Sequence, residues 1–469
     1  MSRGIVVGAG PNGLAGALEL ARNGLEVTVI EAAETIGGGT RTSELTVPGV
    51  LHDHCSAFHP MAAGSPALQS FELERFGLEW CSPEIDLAHP LDDGSAGIMM
   101  RSIDSTANAL GADGGAWRGL FQARSRAFSS ILGDLMRPIQ HVPRHPVRLA
   151  RFGMPALAPA TLVARRLQTR QGKALFAGVA AHALSPLTRP LSSSVGMALI
   201  CAGHTFGWPV ARGGSRAITD ALAAALVDAG GRIETGRRVS ALGEVDDADV
   251  VLLDLAPAAV AELAADRLPG RVERAYRRYR HGPGAYKVDL AVEGGVPWTN
   301  HACRLAGTVH VAGPIEEIVR AEADVNAGRM PPRPIVLVGQ QYLADPTRSA
   351  GDVHPVWAYA HVPNGFPGDA AETVVTQIER FAPGLRERIV GLATRSTAEI
   401  AAYNSNYVGG DIITGANTPV QVLVRPRLAL DPYSTGIPGV YICSAATPPG
   451  AGVHGMNGYN AARSALAGA

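Results

Sequence analysis

Residues 4–31 restrict the fold more than any other stretch of this chain. An apolar strand, Ile5-Val6-Val7, runs into the glycine turn Gly8-Ala9-Gly10-Pro11-Asn12-Gly13; a helix over Leu14 to Asn23 follows, Gly24 stops it, and a second strand, Glu26 to Ile30, ends at Glu31. Each part has a mechanical task. Gly8 permits the tight turn, Gly10 lets backbone approach a pyrophosphate, and Gly13 lets the helix pack close to the strand while its N-terminal N–H groups, flanked by Pro11 and Asn12, face the phosphates. Glu31 stands about 20 residues beyond the glycines, where a carboxylate accepts from a ribose 2′-hydroxyl and repels a 2′-phosphate. The unit predicts an α/β fold with a dinucleotide on its first turn.

The following residues choose between dinucleotides. Ile36-Gly37-Gly38-Gly39-Thr40-Arg41-Thr42 supplies a second glycine turn and an arginine, suited to closing over the same pyrophosphate from its other side through Gly38, Gly39 and Arg41. This extension resembles FAD proteins of the glutathione-reductase-like class, so FAD is the expected cofactor. At the other end of the sequence a strand, Gly439 to Ala445, precedes Ala446-Thr447-Pro448-Pro449-Gly450-Ala451-Gly452-Val453-His454-Gly455-Met456-Asn457-Gly458-Tyr459-Asn460-Ala461-Ala462. Gly450, Gly452 and Gly455 repeat the fingerprint spacing, but no second strand with a terminal acid follows. The expected arrangement is a helix N-terminus aimed at the flavin pyrimidine, its positive end stabilising charge on the reduced ring. Ala445, Gly452, Val453 and His454 would then border the cofactor. In mid-chain, Gly213 to Val239 reads as turn, helix (Ser215 to Ala229), glycine stop and strand, with Val239 meeting the adenine by its backbone.

Together these pieces resemble the phytoene desaturase-like flavoproteins, and within them the phytoene-dehydrogenase-related branch. The resemblance covers nearly the whole chain. It includes Leu51-His52-Asp53-His54-Cys55-Ser56-Ala57-Phe58-His59-Pro60, Gly207-Trp208-Pro209, Tyr286-Lys287-Val288-Asp289, Trp357-Ala358-Tyr359-Ala360-His361 and Asn404-Ser405-Asn406-Tyr407, besides both ends. It implies one non-covalent FAD, no separate nicotinamide domain, and an apolar substrate tunnel ending at the flavin. Many glutathione-reductase-like proteins carry an acid where this chain has Ser444 and Ala445, which removes one ribityl contact. The expected organisation is a discontinuous FAD-binding Rossmann domain from 1–70, 205–275 and 405–469. A mixed sheet-plus-helix substrate domain takes 71–204, mainly helical, and 276–404, rich in strands.

A chain of 469 residues has room for such a pair of domains. Its formal net charge of -1 gives no whole-molecule attraction for nucleic acid. Five cysteines at wide spacing include no CxxC pair, which suits buried thiols in a reducing compartment. No signal peptide and no long apolar run is evident, so a cytoplasmic location is expected. One stretch departs from neutrality: from Arg118 to Lys173 there are ten arginines and one lysine against a single acid, Asp134, interleaved with Phe121, Phe128, Ile131, Met136 and Phe152. Such a stretch suits peripheral contact with an anionic membrane, opening a route for a lipid, or else an ordinary helical subdomain. It has too few aromatic stacking groups for nucleic acid. Oligomeric state is not legible.

Lysine occurs only at Lys173 and Lys287, against 39 arginines (41 − 2). Lys287 lies on an apparent strand, a layout similar to amine oxidases of the wider superfamily. It is expected either to face the flavin's reactive edge with a lowered pKa or to be an ordinary strand lysine facing Asp289 or solvent. His454 and Tyr459, at the mouth of the last helix, are the other candidates to touch the chemistry. His59, with His54 and Ser56, would line the flavin side of its strand; His182, His361 and Asp411 have no local feature fixing their direction. Nothing suggests a metal site, a nucleophile elbow or a Walker loop. The expected function is hydride transfer between FAD and an apolar, lipid- or isoprenoid-like substrate, by desaturation, saturation or double-bond isomerisation. The alternatives are a flavin oxidase of an amine or small polar molecule, for which an aromatic cage is not evident, and a non-catalytic FAD-stabilised interaction protein.

Overall fold

The structure, a computed structural model, describes residues 2–468. A five-stranded sheet is built in the order Val440–Ile442, Val250–Leu253, Arg3–Val7, Glu26–Ile30, Arg232–Glu234, every neighbour parallel. Its central strands are short β-branched and leucine runs buried on both faces, as a parallel sheet covered by helices requires. The first helix, Pro11–Arg22, starts three residues before the predicted Leu14, because proline at the first helical position gives up an N–H that has no intrahelical partner anyway. Helices Arg216–Asp228 and Met456–Gly468 pack against it. With the last helix the approach is backbone to backbone: Gly16 and Gly458 meet at the crossing.

A second, seven-stranded sheet runs Ile389–Arg395, Gly284–Glu293, Val353–Val362, Val336–Gly339, Ala306–Val311, Ile85–Pro90, Ala96–Met99. Only Ile85–Pro90 with Ala306–Val311 is parallel. The stretch 71–204, expected to be mainly helical, therefore also supplies two strands to this sheet before its helices Gly114–Leu135, Arg170–Ala180 and Ser194–Phe206. The two strands pair as an antiparallel hairpin whose loop carries the turn signal Asp93-Gly94, with Gly94 at φ +80°.

Strand alternation divides this sheet's side chains between two cores. Val288, Leu290, Val336, Val338, Ala358 and Ala360 pack with Trp298 and the helix Ala371–Glu379. Leu87, Leu337, Trp357 and Tyr359 face the other way, into the core that includes the nucleotide-side helices and the helical bundle. Lys287, Asp289, Thr308 and His310 occupy matching register positions on that second face.

Candidate functional site

A cleft of about 340 Å³ opens where the strands Arg3–Val7 and Glu26–Ile30 end. Gly8, Gly10, Pro11, Asn12, Glu31, Gly38, Gly39, Arg41, Val239 and Ala445 all line it. Gly8 takes φ +106°, a left-handed backbone that favours glycine. Gly13 lies just behind the wall; a Cβ there would stand 2.0 Å from the Gly8 carbonyl oxygen, so strand and helix touch at that point. The two glycine turns face each other, since a Cβ on Gly38 would lie 3.0 Å from the Gly10 Cα.

The polar groups of the cleft are partly committed. Glu31 accepts from the Ala9 N–H (2.8 Å) and the Ala33 N–H (2.9 Å), which pins the first turn to the second strand. A carboxylate has about four lone-pair directions, so it retains capacity for a ribose hydroxyl. Arg41 donates to the carbonyls of Thr35 (2.7 Å), Ile36 (3.2 Å) and Gly38 (3.3 Å), so its guanidinium holds the second turn in shape at the cleft wall. Val239 lies beyond the strand Arg232–Glu234, outside any regular element. Asn12 Oδ1 is a buried acceptor without a partner. Facing glycines, an open carboxylate and an orphaned amide oxygen together fit an adenine dinucleotide.

One cleft residue has no local signature in the sequence. Asp254, from the end of the strand Val250–Leu253, places Oδ2 3.0 Å from the Gly13 N–H and is 8% exposed. Burial, with Glu31 adding to it and the Gly13 N–H opposing it, pushes its carboxyl up to about 7.

From the cleft, Tyr403 and Tyr407 lead to a small chamber also lined by His54, Cys55, Lys287, Trp357, Tyr359 and Arg395. Tyr403 donates to the Gly38 carbonyl (2.6 Å), and the Tyr407 hydroxyl fills the space a Cβ on Gly39 would need. Lys287 borders this chamber, and its ammonium is ion-paired with Asp289, which also lies 3.5 Å from His52 Nδ1. Burial lowers the Lys287 pKa and Asp289 opposes the shift. The pairing with Asp289 is therefore present, at the chamber wall. His54 accepts from Arg395 (3.2 Å) and meets Ser43 (2.6 Å); burial, reinforced by Arg395, pushes it down to about 3, so it is neutral.

Beyond the chamber lies a cavity of about 690 Å³, which shares Cys55, Trp357, Tyr359 and Ile412 with it. Met61, Leu149, Phe152, Leu199 and Leu337 give it an apolar wall, and the loop Gly450 to His454, with Gly452 and Val453, closes one side before the last helix begins. His59 lines the cavity but exchanges a hydrogen bond with Ser215 (2.9 Å); His454 lines it too, while its Nδ1 accepts from the Met456 N–H (3.2 Å) and caps the helix. Burial holds both near 4. Tyr459 lies apart from all three spaces, packed edge-on against Phe71 with ring centroids 6.1 Å apart. One turn into the helix its side chain points to the core of the nucleotide domain, which removes it from the set that can touch substrate.

Sequence reasoning also passed over an aromatic pair. Trp357 and Tyr359 stand at the cavity wall with centroids 5.0 Å apart and planes at 77°. Their i, i+2 spacing on a strand was the available signal, since it puts both on one face. His182 lines the cavity as well, whereas His361 and Asp411 do not.

Comparison with known proteins agrees with this geometry. Residues 6–71 match the family of NAD(P)-binding Rossmann-like domains. The chain is 30% identical to hydroxyneurosporene desaturase of Cereibacter sphaeroides over 259 residues, about half the length of each. It is 24% identical to pyridine nucleotide-disulfide oxidoreductase domain-containing protein 2 of Rattus norvegicus, over 98% of this chain and 92% of that protein. A putrescine oxidase variant shares the fold, with a TM-score of 0.59, 17% identity and 99% of each chain covered.

Proposed function

We propose, from the premise that this chain belongs to the phytoene desaturase-like FAD-dependent oxidoreductases, that it holds FAD in the cleft and acts on an apolar molecule in the cavity. The observation that carries this reading is adjacency. Tyr403 and Tyr407 border both cleft and chamber, and Cys55, Trp357 and Tyr359 border both chamber and cavity. When bound, FAD supplies the means of accepting or returning hydride. The chain's own residues do the rest: Glu31 accepts from a ribose, and the start of the helix Pro11–Arg22 turns its positive end to a pyrophosphate. The apolar walls orient a substrate chain and keep water away from it. Desaturation, saturation and double-bond isomerisation all use such a site.

Purified protein is expected to be yellow. Incubated anaerobically with total lipid extract, the oxidised protein should bleach and remove two hydrogens from one lipid, the dithionite-reduced protein should regain colour and add two, or a lipid's retention should change at constant mass if it isomerises. Colourless protein that takes up no added FAD overturns the reading; bound FAD with no lipid altered overturns the substrate class. The Trp357–Tyr359 pair favours a second reading, oxidation of an amine. Peroxide release in air with a panel of amines, and none with lipids, would support that one instead.

Asp254 makes the cleft sensitive to pH. A carboxylate in its wall repels a dinucleotide's phosphates and the protonated form does not, so affinity is full below about pH 7 and falls as pH rises through that value. Fluorescence titration of apoprotein with FAD should show this decline, and Asp254→Asn should flatten it, binding roughly tenfold more tightly than wild type at about pH 8.5. A wild-type affinity that stays level from about pH 6 to 8.5 contradicts this.

We also propose that the cavity loads from an anionic membrane. Val142 is 89% exposed and Leu430 93% exposed, on two loops joined by a hydrogen bond from Gln140 to the Ala429 carbonyl (2.9 Å). Exposed Arg137, Arg144, Arg148 and Arg151 surround the first loop, and its Ile139 also lines the cavity. The stretch's single acid, Asp134, is turned inward, accepting from the N–H groups of Arg144 (3.1 Å) and His145 (3.2 Å). No helix among the described residues is long and apolar enough to cross a membrane, so contact would be at the surface. The protein should co-sediment with phosphatidylglycerol vesicles at low salt but not with phosphatidylcholine ones, and Val142→Glu with Leu430→Glu should release it. Protein left in the supernatant by anionic vesicles ends this proposal.

A further inference from the structure

The cavity wall formed by the seven-stranded sheet is backed by four imidazoles that the proposed function leaves unused. His182 Nε2 and His310 Nε2 are 3.0 Å apart, with ring centroids at 5.0 Å. His89 Nε2 donates to the Gly313 carbonyl (2.7 Å), and His361 Nδ1 bonds to Glu322 (2.5 Å). Gly178 makes room for two of them: a Cβ there would lie 2.6 Å from His89 Nδ1 and 2.8 Å from His310 Nδ1. Of the four, only His182 lines the cavity. Burial holds His182 near 3 and His89 near 4, and pushes His310 well below its usual value, so these three rings are neutral and each carries one proton.

Neutrality fixes who donates. The two Nε2 atoms share one hydrogen, and the choice falls on what is left at each Nδ1. His310 is fully enclosed and its Nδ1 has no partner. Were His310 the acceptor, that Nδ1 would carry an N–H buried with nothing to receive it, which costs more than an unpaired lone pair. His310 therefore donates from Nε2, and His182 keeps its proton on Nδ1. That Nδ1 makes no hydrogen bond within the protein and is not among the sealed atoms. The largely apolar cavity thus presents a fixed N–H donor at His182 Nδ1.

We propose that His182 is a recognition site for an oxygen on the substrate: the cavity takes an apolar chain bearing a hydroxyl, carbonyl or ether rather than a pure hydrocarbon. This deepens the proposed function and rests on the cavity being its substrate site. An oxygen placed at His182 Nδ1 satisfies the donor; a hydrocarbon leaves it dry and unpaired, a difference worth roughly ten- to a hundredfold in affinity.

The test measures binding to FAD-loaded protein by quenching of tryptophan fluorescence, with farnesol, farnesyl methyl ether and farnesene as probes. Farnesol and the ether, which accepts but cannot donate, are expected to bind alike and roughly ten- to a hundredfold more tightly than farnesene. His182→Phe should bring all three to the farnesene affinity, and the ether comparison stands on wild-type protein should that variant fail to fold. Equal binding of all three to wild type overturns the oxygen site and leaves the cavity reading intact. A failure of all three to bind overturns both. Loss of the ether's advantage alone reverses the donor assignment and overturns the proposal as stated.

Discussion

An alanine at Gly458 should leave a protein that neither folds normally nor retains its cofactor. The last helix crosses the first with main chains in contact, and a Cβ on Gly458 would lie 1.7 Å from the Asn12 carbonyl oxygen and 2.8 Å from the Gly16 nitrogen. Neither neighbour is a side chain that can swing aside. The helices must separate by more than an ångström, which removes dispersion contacts along the whole interface. Overpacking of ordinary cores costs about 1–3 kcal/mol, and a clash with backbone belongs at or beyond the upper end of that range. The clash is transmitted directly, because Asn12 sits in the turn that lines the cleft. Thermal unfolding and FAD content of purified Gly458→Ala would measure both consequences. A wild-type melting temperature with full FAD would show that the crossing is looser than described.

Arg348→Met should destabilise the fold by about 3–5 kcal/mol, the cost of leaving buried charge without its partner. Arg348 is 0% exposed; it is ion-paired with Asp53, lies 3.2 Å from Asp345, and donates to the Ala211 carbonyl at 2.8 Å. Asp53 in turn accepts from Thr42 (2.7 Å) and the Ser215 N–H (2.7 Å), so one guanidinium ties the hairpin after the second glycine turn to the start of the helix Arg216–Asp228. Burial alone would raise the Asp53 carboxyl; Arg348 and these donors outweigh it and hold the group below its usual value. A depressed carboxylate lends stability that is present above its unfolded value of about 3.9 and is lost as pH falls through the folded one. The wild type should therefore lose this contribution only in acid. In Arg348→Met the uncompensated carboxylates favour protonation, so the gap between variant and wild type should narrow as pH falls from about 7 to 4. Urea unfolding across that range reads the effect directly, and a gap that stays constant would assign the loss to packing of the long side chain instead.

Much of the nucleotide end of the protein was legible because its rules are local. A strand, a turn needing left-handed backbone at Gly8 and a helix led by proline are each specified within a few residues. The same holds for Gly38, Gly39 and Val239, whose positions along the cleft follow from short segments that carry their own turn signals. Tyr459 was misjudged because nearness to a helix start does not say which way a helical side chain points. The strands Ile85–Pro90 and Ala96–Met99 were missed although they pair with each other across a turn at Asp93-Gly94; what holds the hairpin in the sheet is Ala306–Val311, which pairs with the first of them from some two hundred residues away.

The sequence by itself determined that a dinucleotide turn, its acid and a second glycine turn exist, since φ preferences and periodicity act over a handful of residues. Only the tertiary structure decided what those elements meet. Asp254 reaches Gly13 across 241 positions, Arg348 reaches Asp53 across 295, and His182 reaches His310 across 128. On a strand each side chain's direction follows the pleat, but what it faces depends on the register and layering of segments far apart in the chain. Those long-range pairings created the cavity and the His182 donor in its wall, and no stretch of residues read in isolation contains them.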